Sequence, residues 1–454
     1  MTDISANPAA TPARAGSARP SLLAPSDAMR RRNAAETRFR WYGIAAISLS
    51  LVMLGIMLFT ILRDGVSAFT QAQITFPVTL TAEVLDPKGN RLRDEMVKVT
   101  TVGYAKVLNA SFLAELQRQG ITQDGLTDKE IGALISKDAP GQLRASVLAD
   151  PAMVGTTIPM TVLAAGRIDG FLKGRVTLQS AERDNNVSPD QLRLADQLQT
   201  AGLLDTRFNW GFLTSADASD QRPEAAGLGI ALIGSAYMMV LVLITCVPVG
   251  VAASIYLEEF APQNRWTDAI EVNISNLAAV PSIVFGILGL SIFINFAGLP
   301  QSSSIVGALV LSLMTLPTII IATRSSIRAV PPSIRDAALG VGASKMQTVF
   351  HHVLPLAMPG ILTGTILGLA SALGETAPLL LIGMVAFVDN TPSAPLEGIL
   401  DPATALPVQV YSWASRADPA FVERSNGAII VLMVFLVIMN VAAILLRRRF
   451  ERRW

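Results

Sequence analysis

One carboxylate stands alone in a long uncharged stretch. Between Val353 and Val388 the only charged residue is Glu375, in the run Gly374-Glu375-Thr376-Ala377-Pro378-Leu379-Leu380. A charge in the hydrocarbon core costs about 3 kcal/mol on insertion scales, so Glu375 is expected to face the protein interior. Pro378 has no amide hydrogen and removes the helical bond to Gly374, so glycine and proline together kink or break the helix. Such breaks free backbone groups that can face an anion or a transport pathway. They also serve packing alone, with the carboxylate held by a neighbouring helix. A carboxylate repels anions, so Glu375 is assigned to pairing with a cation or shaping a pathway, not to touching an anionic substrate.

A second chemically informative stretch runs from Pro331-Pro332-Ser333-Ile334-Arg335-Asp336-Ala337-Ala338 through Gly342, Ser344 and Gln347 to His351-His352-Val353-Leu354-Pro355. Ser333 with Asp336 reads as a capping pair that opens a helix, and the two prolines keep that helix separate from the preceding apolar run. Gly342 suits the left-handed position that ends a helix. Ser344 with Gln347 is a second capping pair. The spacing predicts helix, glycine turn, helix, with Met346, Val349, Phe350 and Val353 as an apolar stripe. Such a knob fits a groove in another protein. It equally fits an amphipathic loop lying on the bilayer surface.

Other chemistries are excluded or unsupported. One cysteine, Cys246, rules out an intramolecular disulfide and a thiolate cluster, and the two adjacent histidines argue against a multi-histidine metal site. No Gly-x-x-x-x-Gly-Lys-Ser/Thr phosphate loop occurs; Gly340-Val341-Gly342-Ala343-Ser344-Lys345 lacks its spacing and its leading strand. No basic patch suits nucleic acid.

The elements that must position these residues are membrane spans. Charged residues make up 16% of the 454-residue chain, against about 25% in average soluble domains, and hydrophobic ones 51%. Uncharged runs extend from Trp41 to Leu62, Gly227 to Leu257 and Val272 to Thr323, and again from Gly427 to Leu446. The third is too long for one span and divides at Ala297-Gly298-Leu299-Pro300-Gln301-Ser302. With the Glu375 stretch this predicts six spans, since a bilayer core needs roughly 20 apolar residues. Pro248, Pro281 and Pro317 lie within spans, where they allow pivoting or simply shape static packing. Arginines crowd residues 1–40, a tail expected to be disordered, and 447–454, and Arg324, Arg328, Arg335 and Lys345 lie between spans four and five. This bias places both termini and that loop in the cytoplasm.

Residues 63–226 then form an outside domain, read as mixed α/β with a docking or structural role. Phe76 to Leu85 reads as a strand, Asp86-Pro87-Lys88-Gly89-Asn90 as a turn and Met96 to Val102 as a returning strand. Ala110 to Gln119 and Pro189 to Ala201 have helical spacing.

The loop resembles the EAA loop of ABC importer permeases. Asp336-Ala337-Ala338, Gly342 and Leu354-Pro355 match its pattern in type and spacing; Asp336 replaces the usual glutamate and His352 stands at a usually apolar position. Residues 227–446 resemble the permease core as a whole. Gly374-Glu375-Thr376-Ala377-Pro378-Leu379-Leu380 looks like the signature of PstA-type phosphate permeases, and Val280-Pro281-Ser282-Ile283-Val284-Phe285-Gly286 is similar to another phosphate-permease segment. The polar extension before residue 227 resembles that of a subset of bacterial members. The family commonly has an arginine four positions before the glutamate, where this chain has Ser371.

The resemblance implies an all-α type I ABC importer permease (MetI-like) bundle in the bacterial inner membrane, with one extra N-terminal span at 41–62 and the α/β periplasmic domain. It implies that the loop 331–355 docks on a separate PstB-type ATPase dimer, where ATP and Mg belong, so this chain is no enzyme and holds no cofactor. It also implies a PstC-type second permease, which would supply the cation facing phosphate, and a PstS-type periplasmic binding protein. Ser371, Gly374, Glu375, Thr376 and Pro378 become transport-pathway candidates. A permease for sulfate or molybdate is the first alternative reading. The second is a membrane-anchored sensor or scaffold using 63–226.

Overall fold

The computed structural model describes residues 27–121, 125–384, 388 and 397–450. The first described element is the helix α1 (Asp27–Gly65), apolar enough to cross a membrane. Residues 27–40, expected in a disordered tail, are helical and continue directly into the span.

The domain after α1 is built on a three-stranded antiparallel sheet of order β2-β1-β3, with β1 at Thr70–Thr79, β2 at Thr157–Leu163 and β3 at Leu204–Phe208. Alternation along β1 puts Ala72, Ile74, Phe76 and Val78 in the core. The helix α2 (Thr101–Arg118) covers that face with Tyr104, Leu108 and Phe112, the Phe112 ring 5.1 Å from that of Phe76. A second helix, α3 (Pro189–Thr200), starts on a Ser188–Gln191 capping box and buries Leu192, Ala195 and Leu198. The second lies where the periodicity put it, while α2 contains the expected Ala110–Gln119 stretch up to Arg118 but starts much earlier, at Thr101.

The strand readings need correction. β1 begins at Thr70 and ends at Thr79, and Ala82–Leu85 is a helical turn. The turn at Asp86–Asn90 exists, with Gly89 at φ 65° and the Asp86 carboxylate accepting from the Arg91 amide at 2.8 Å. It leads into the helical turn Arg93–Met96 and then α2, so Met96–Val102 is no strand. The partners of β1 come from far along the chain, and Met96 reaches the core from a helical turn. The domain also ends earlier than residue 226: its core closes at Leu204, whereas Phe212, Ala218, Ala226 and Leu228 pack with Trp413, Phe421 and Ala428 of the bundle.

The bundle comprises α4 (Gly229–Ile255), α5 (Arg265–Ala278), α6 (Ser282–Gly289), α7 (Ser304–Arg328), α8 (Pro332–Gly340), α9 (Lys345–Thr348), α10 (Leu354–Gly374), α11 (Ala377–Leu381), α12 (Leu406–Ala414) and α13 (Pro419–Phe450). π-helical turns extend α4 through Tyr256–Phe260 and α6 through Leu290–Phe296, and join α9 to α10 through Val349–Val353. Among the described residues five helices are long and apolar enough to cross a membrane, including α1.

The third span is broken more sharply than the bend expected at Pro281: α5 and α6 meet at a 102° bend over Ala279-Val280-Pro281. Even so the pair traverses the bundle. Arg324, near one end of α7, pairs with Glu271 of α5. Just after α6, Ser302 beside the other end of α7 donates to the Gly383 carbonyl at 2.6 Å. Those two ends of α7 are roughly 30 Å apart at 1.5 Å per residue. The bent pair is therefore a broken span rather than a return to the same side, and it makes the sixth crossing.

Span five also ends sooner than Val388: α10 stops at Gly374, followed by the short α11 and a turn with Gly383 at φ 92°. Span six is longer than Gly427–Leu446, running from Pro419 to Phe450.

Spans four and five approach through small residues. A Cβ on Gly364 would collide with Ala322 and one on Gly360 with Ser326, while one on Gly368 would lie 3.1 Å from Thr315. Glycines at this four-residue spacing let membrane helices pack closely.

Candidate functional site: a two-helix foot and paired helix breaks

The foot begins at Pro332 with Pro331 at the cap; Ser333 makes no capping bond. Proline at the first helical position is already set for the helix and lacks the amide a cap would satisfy, so the expected Ser333–Asp336 pair has no role. At the far end the Val341 amide donates to the Ala337 carbonyl at 3.2 Å and the Ala343 amide to that of Ala338 at 3.1 Å. Gly342 sits at φ 91°, the left-handed region the turn requires. Ser344 then forms the expected box: the Gln347 amide donates to Ser344 Oγ at 3.2 Å, and the Ser344 amide to Gln347 Oε1 at 2.9 Å. Ser344→Ala is expected to cost about 1 kcal/mol locally, measured as faster hydrogen exchange at the Gln347 and Thr348 amides than in the unaltered chain.

The expected apolar stripe splits between two faces. Val349 and Val353 are buried with Ile255, Ile327, Val330 and Ile361, and thus seat the foot. Met346 and Phe350 point outward, 57% and 45% exposed, beside the exposed Leu339 and Val341. Asp336, Ala337 and Gly342 are exposed too, Ala338 is buried, and Leu354 and Pro355 are half-buried where α10 begins.

An ion-pair cluster that sequence reasoning missed holds the foot to the bundle. The Arg335 guanidinium donates to Glu259 Oε1 at 2.7 and 3.0 Å, to the Val330 carbonyl at 2.7 Å and to the Ile327 carbonyl at 2.9 Å. Arg328 donates to Glu258 at 2.7 Å, and Arg324 joins Glu258 to Glu271. Lys345 lies 5.3 Å above the Phe260 ring. The π-turn Tyr256–Phe260 presents both glutamates. The one sequence signal was the Glu258-Glu259 pair closing a long uncharged run.

The second feature lies inside the bundle. The α10 helix ends at Gly374, Glu375 is extended (φ −80°, ψ 124°) and α11 restarts at Ala377 with Pro378 in its first turn. A Cβ on Gly286 would lie 2.8 Å from Cα of Pro378, and one on Gly289 would lie 3.4 Å from the Ile382 side chain. The short helices α6 and α11 therefore run side by side in the same direction. Pro378, in the first turn of α11, packs against Gly286 within α6, so span five restarts against span three. Pro378 is buried, Glu375 and Thr376 are half-buried, and Ser371 and Gly374 are exposed. Glu375 has no ion pair or side-chain hydrogen bond among the described residues of this chain. The edge of the break is thus open among the described residues, with an acid and polar groups on a surface they leave uncovered.

Residues 247–454 match the family model of the binding-protein-dependent transport system inner membrane component, and residues 26–182 match a domain of unknown function, DUF3333. The chain is 34% identical over 249 residues to the probable ABC transporter permease protein YqgI of Bacillus subtilis, an alignment covering 52% of this chain and 83% of that protein. It is 32% identical over 229 residues to the phosphate transport system permease protein PstA 1 of Mycobacterium tuberculosis, covering 50% and 73%. With PstA of Xylella fastidiosa it shares 31% over 228 residues, covering 50% and 77%. Among solved structures, an inward-facing MetNI methionine ABC transporter superposes with a TM-score of 0.37 at 15% identity, over 50% of this chain and 95% of that one.

Proposed function

Because this chain belongs to the family of PstA-type ABC importer permeases, we propose that it carries inorganic phosphate across the bacterial inner membrane, driven by ATP hydrolysis on a separate subunit. It is a multi-pass permease and no enzyme. The observation that carries the coupling part is the foot, whose exposed Leu339, Val341, Met346 and Phe350 are held on a rigid seat by Arg335 and Glu259. An apolar knob of this kind fits a groove in a partner. The relatives named as phosphate permeases support the substrate.

Both termini and the foot face the cytoplasm in this reading, and the domain after α1 faces the periplasm. A PstB-type ATPase dimer, which binds ATP and Mg, receives the foot. Its closure pulls on α8 and α9 and, through the π-turn at Val349–Val353, on α10. The breaks at Pro281 and Gly374–Thr376 let the short helices α6 and α11 tilt while the longer halves stay packed. A PstC-type second permease covers the open edge at Ser371, Gly374 and Glu375. It supplies the cation that pairs with Glu375 and the one that faces phosphate. A PstS-type binding protein delivers the anion outside.

Reconstitution with such partners in vesicles should give ATP-dependent entry of labelled phosphate that excess sulfate does not suppress. Entry no faster than with an ATPase-dead partner would remove the transport reading; suppression by sulfate would move it to another oxyanion. Glu375→Gln is expected to slow uptake by roughly tenfold, about 1.4 kcal/mol, with assembly intact. Unchanged uptake would show that the acid neither pairs with a cation nor shapes the pathway.

A further inference from the structure

Between the domain after α1 and the segment 220–224 with Asp418 of the bundle lies a cavity of about 550 Å³, within the range of small-molecule sites. One wall is apolar, with Val102 and Leu108 of α2 and Ile135 beyond it. On another wall lies Glu224, 5% exposed. Its Oε1 accepts from Ser136 Oγ, and its Oε2 lies beside Gly166, where a Cβ would come within 3.1 Å. Ser136 and Gly166 both line the cavity, so the carboxylate sits at its surface.

No cation makes a direct salt bridge to this carboxylate among the described residues, though the buried Arg424 acts on it through space. Arg424 donates instead to the backbone carbonyl of Glu224, at 2.8 Å. The other charges nearby are already committed. Arg167 binds Asp184 at 3.0 Å and Asp418 at 3.5 Å, and Asp220 lies 3.5 Å from Arg416. Lys137, exposed on the cavity lining, has no ion pair among the described residues. Burial pushes the Glu224 carboxyl up, opposed by its bond from Ser136, by backbone amides and by the charge of Arg424. A buried carboxylate with no cation in direct contact is costly, and an incoming cation that touches it lowers that cost.

We propose that this cavity binds a small organic molecule whose ammonium group pairs with Glu224 and whose aliphatic body lies on the Val102–Leu108–Ile135 wall. A ligand that also carries a carboxylate places it toward Lys137. This site is independent of the transport pathway, since it shares no residue with the foot or the helix breaks.

Three matched probes test it on the full chain in detergent, followed by saturation-transfer NMR: n-butylamine, 4-aminobutyrate and butyrate. The two amines should bind saturably and butyrate should not. Glu224→Gln should weaken both amines by about tenfold or more, and Lys137→Gln should weaken 4-aminobutyrate alone. Val102→Trp, placed at a position 62% exposed, should fill the cavity and abolish binding with Glu224 intact. Thermal melts confirm that each variant is folded, and Val102→Trp decides the matter if Glu224→Gln is not. The proposal is overturned if no amine binds saturably, if butyrate binds as tightly, or if the folded variants bind like the unaltered chain.

Discussion

Arg335→Ala is expected to lower ATP-driven phosphate uptake by about a hundredfold while the chain still inserts and assembles. The guanidinium is 22% exposed and its partner Glu259 is 9% exposed. Breaking a fully buried pair costs about 3–5 kcal/mol; with partial exposure of the arginine we expect about 2–3 kcal/mol. That loss falls on one joint, because the same side chain also holds the carbonyls of Ile327 and Val330 where span four ends. A loosened foot still meets the ATPase but transmits less of its motion to α10. ATP hydrolysis should therefore persist while uptake per ATP falls. Arg335→Lys should recover little, since one ammonium cannot serve a carboxylate and two carbonyls in fixed directions. Equal loss of hydrolysis and uptake would point to failed docking instead of failed transmission.

Gly364→Leu should have the largest effect on assembly. The glycine lies against Ala322, between Gly360 on Ser326 and Gly368 near Thr315, in the contact of spans four and five. Overpacking a well-filled site costs about 1–3 kcal/mol when neighbours can shift. Here the neighbour is a helical alanine held by its own backbone, so the helices must separate. We expect the yield of monodisperse protein in mild detergent to fall several-fold and its melting temperature to drop. Gly43→Leu is the control: it also lies in an apolar helix, with nothing within 4 Å of a built Cβ, and should be neutral. A normal melt for Gly364→Leu would mean that the two spans do not depend on this contact.

The sequence was most readable where one physical requirement dominates. Length without charge located the spans, because lipid admits little else. Gly342, Ser344 and Gln347 gave the helix–turn–helix of the foot, because those signals act over a few residues. The capping pair at Ser333 was misread because Pro332, already at the first helical position, competes for the same role. Local patterns also misjudged Met96–Val102, since β1 finds its partners at Thr157–Leu163 and Leu204–Phe208, far along the chain. The Arg335–Glu259 clamp was hidden for the same reason. Its members lie on different helices, and only the fold brings them together. Pro281 was read as a bend within a span, but nothing local announced a 102° turn or that span five would restart against α6.

The most direct measurement is cross-linking from Val341→Cys, on the most outward apolar residue of the foot (86% exposed), to cysteines placed around the surface groove of the partner ATPase. In the assembled transporter we expect an efficient cross-link whose yield changes when nucleotide closes the ATPase dimer. A membrane-impermeant thiol reagent should reach this cysteine only from the cytoplasmic side. Labelling from the periplasmic side, or no cross-link in a transporter that still imports phosphate, would contradict it.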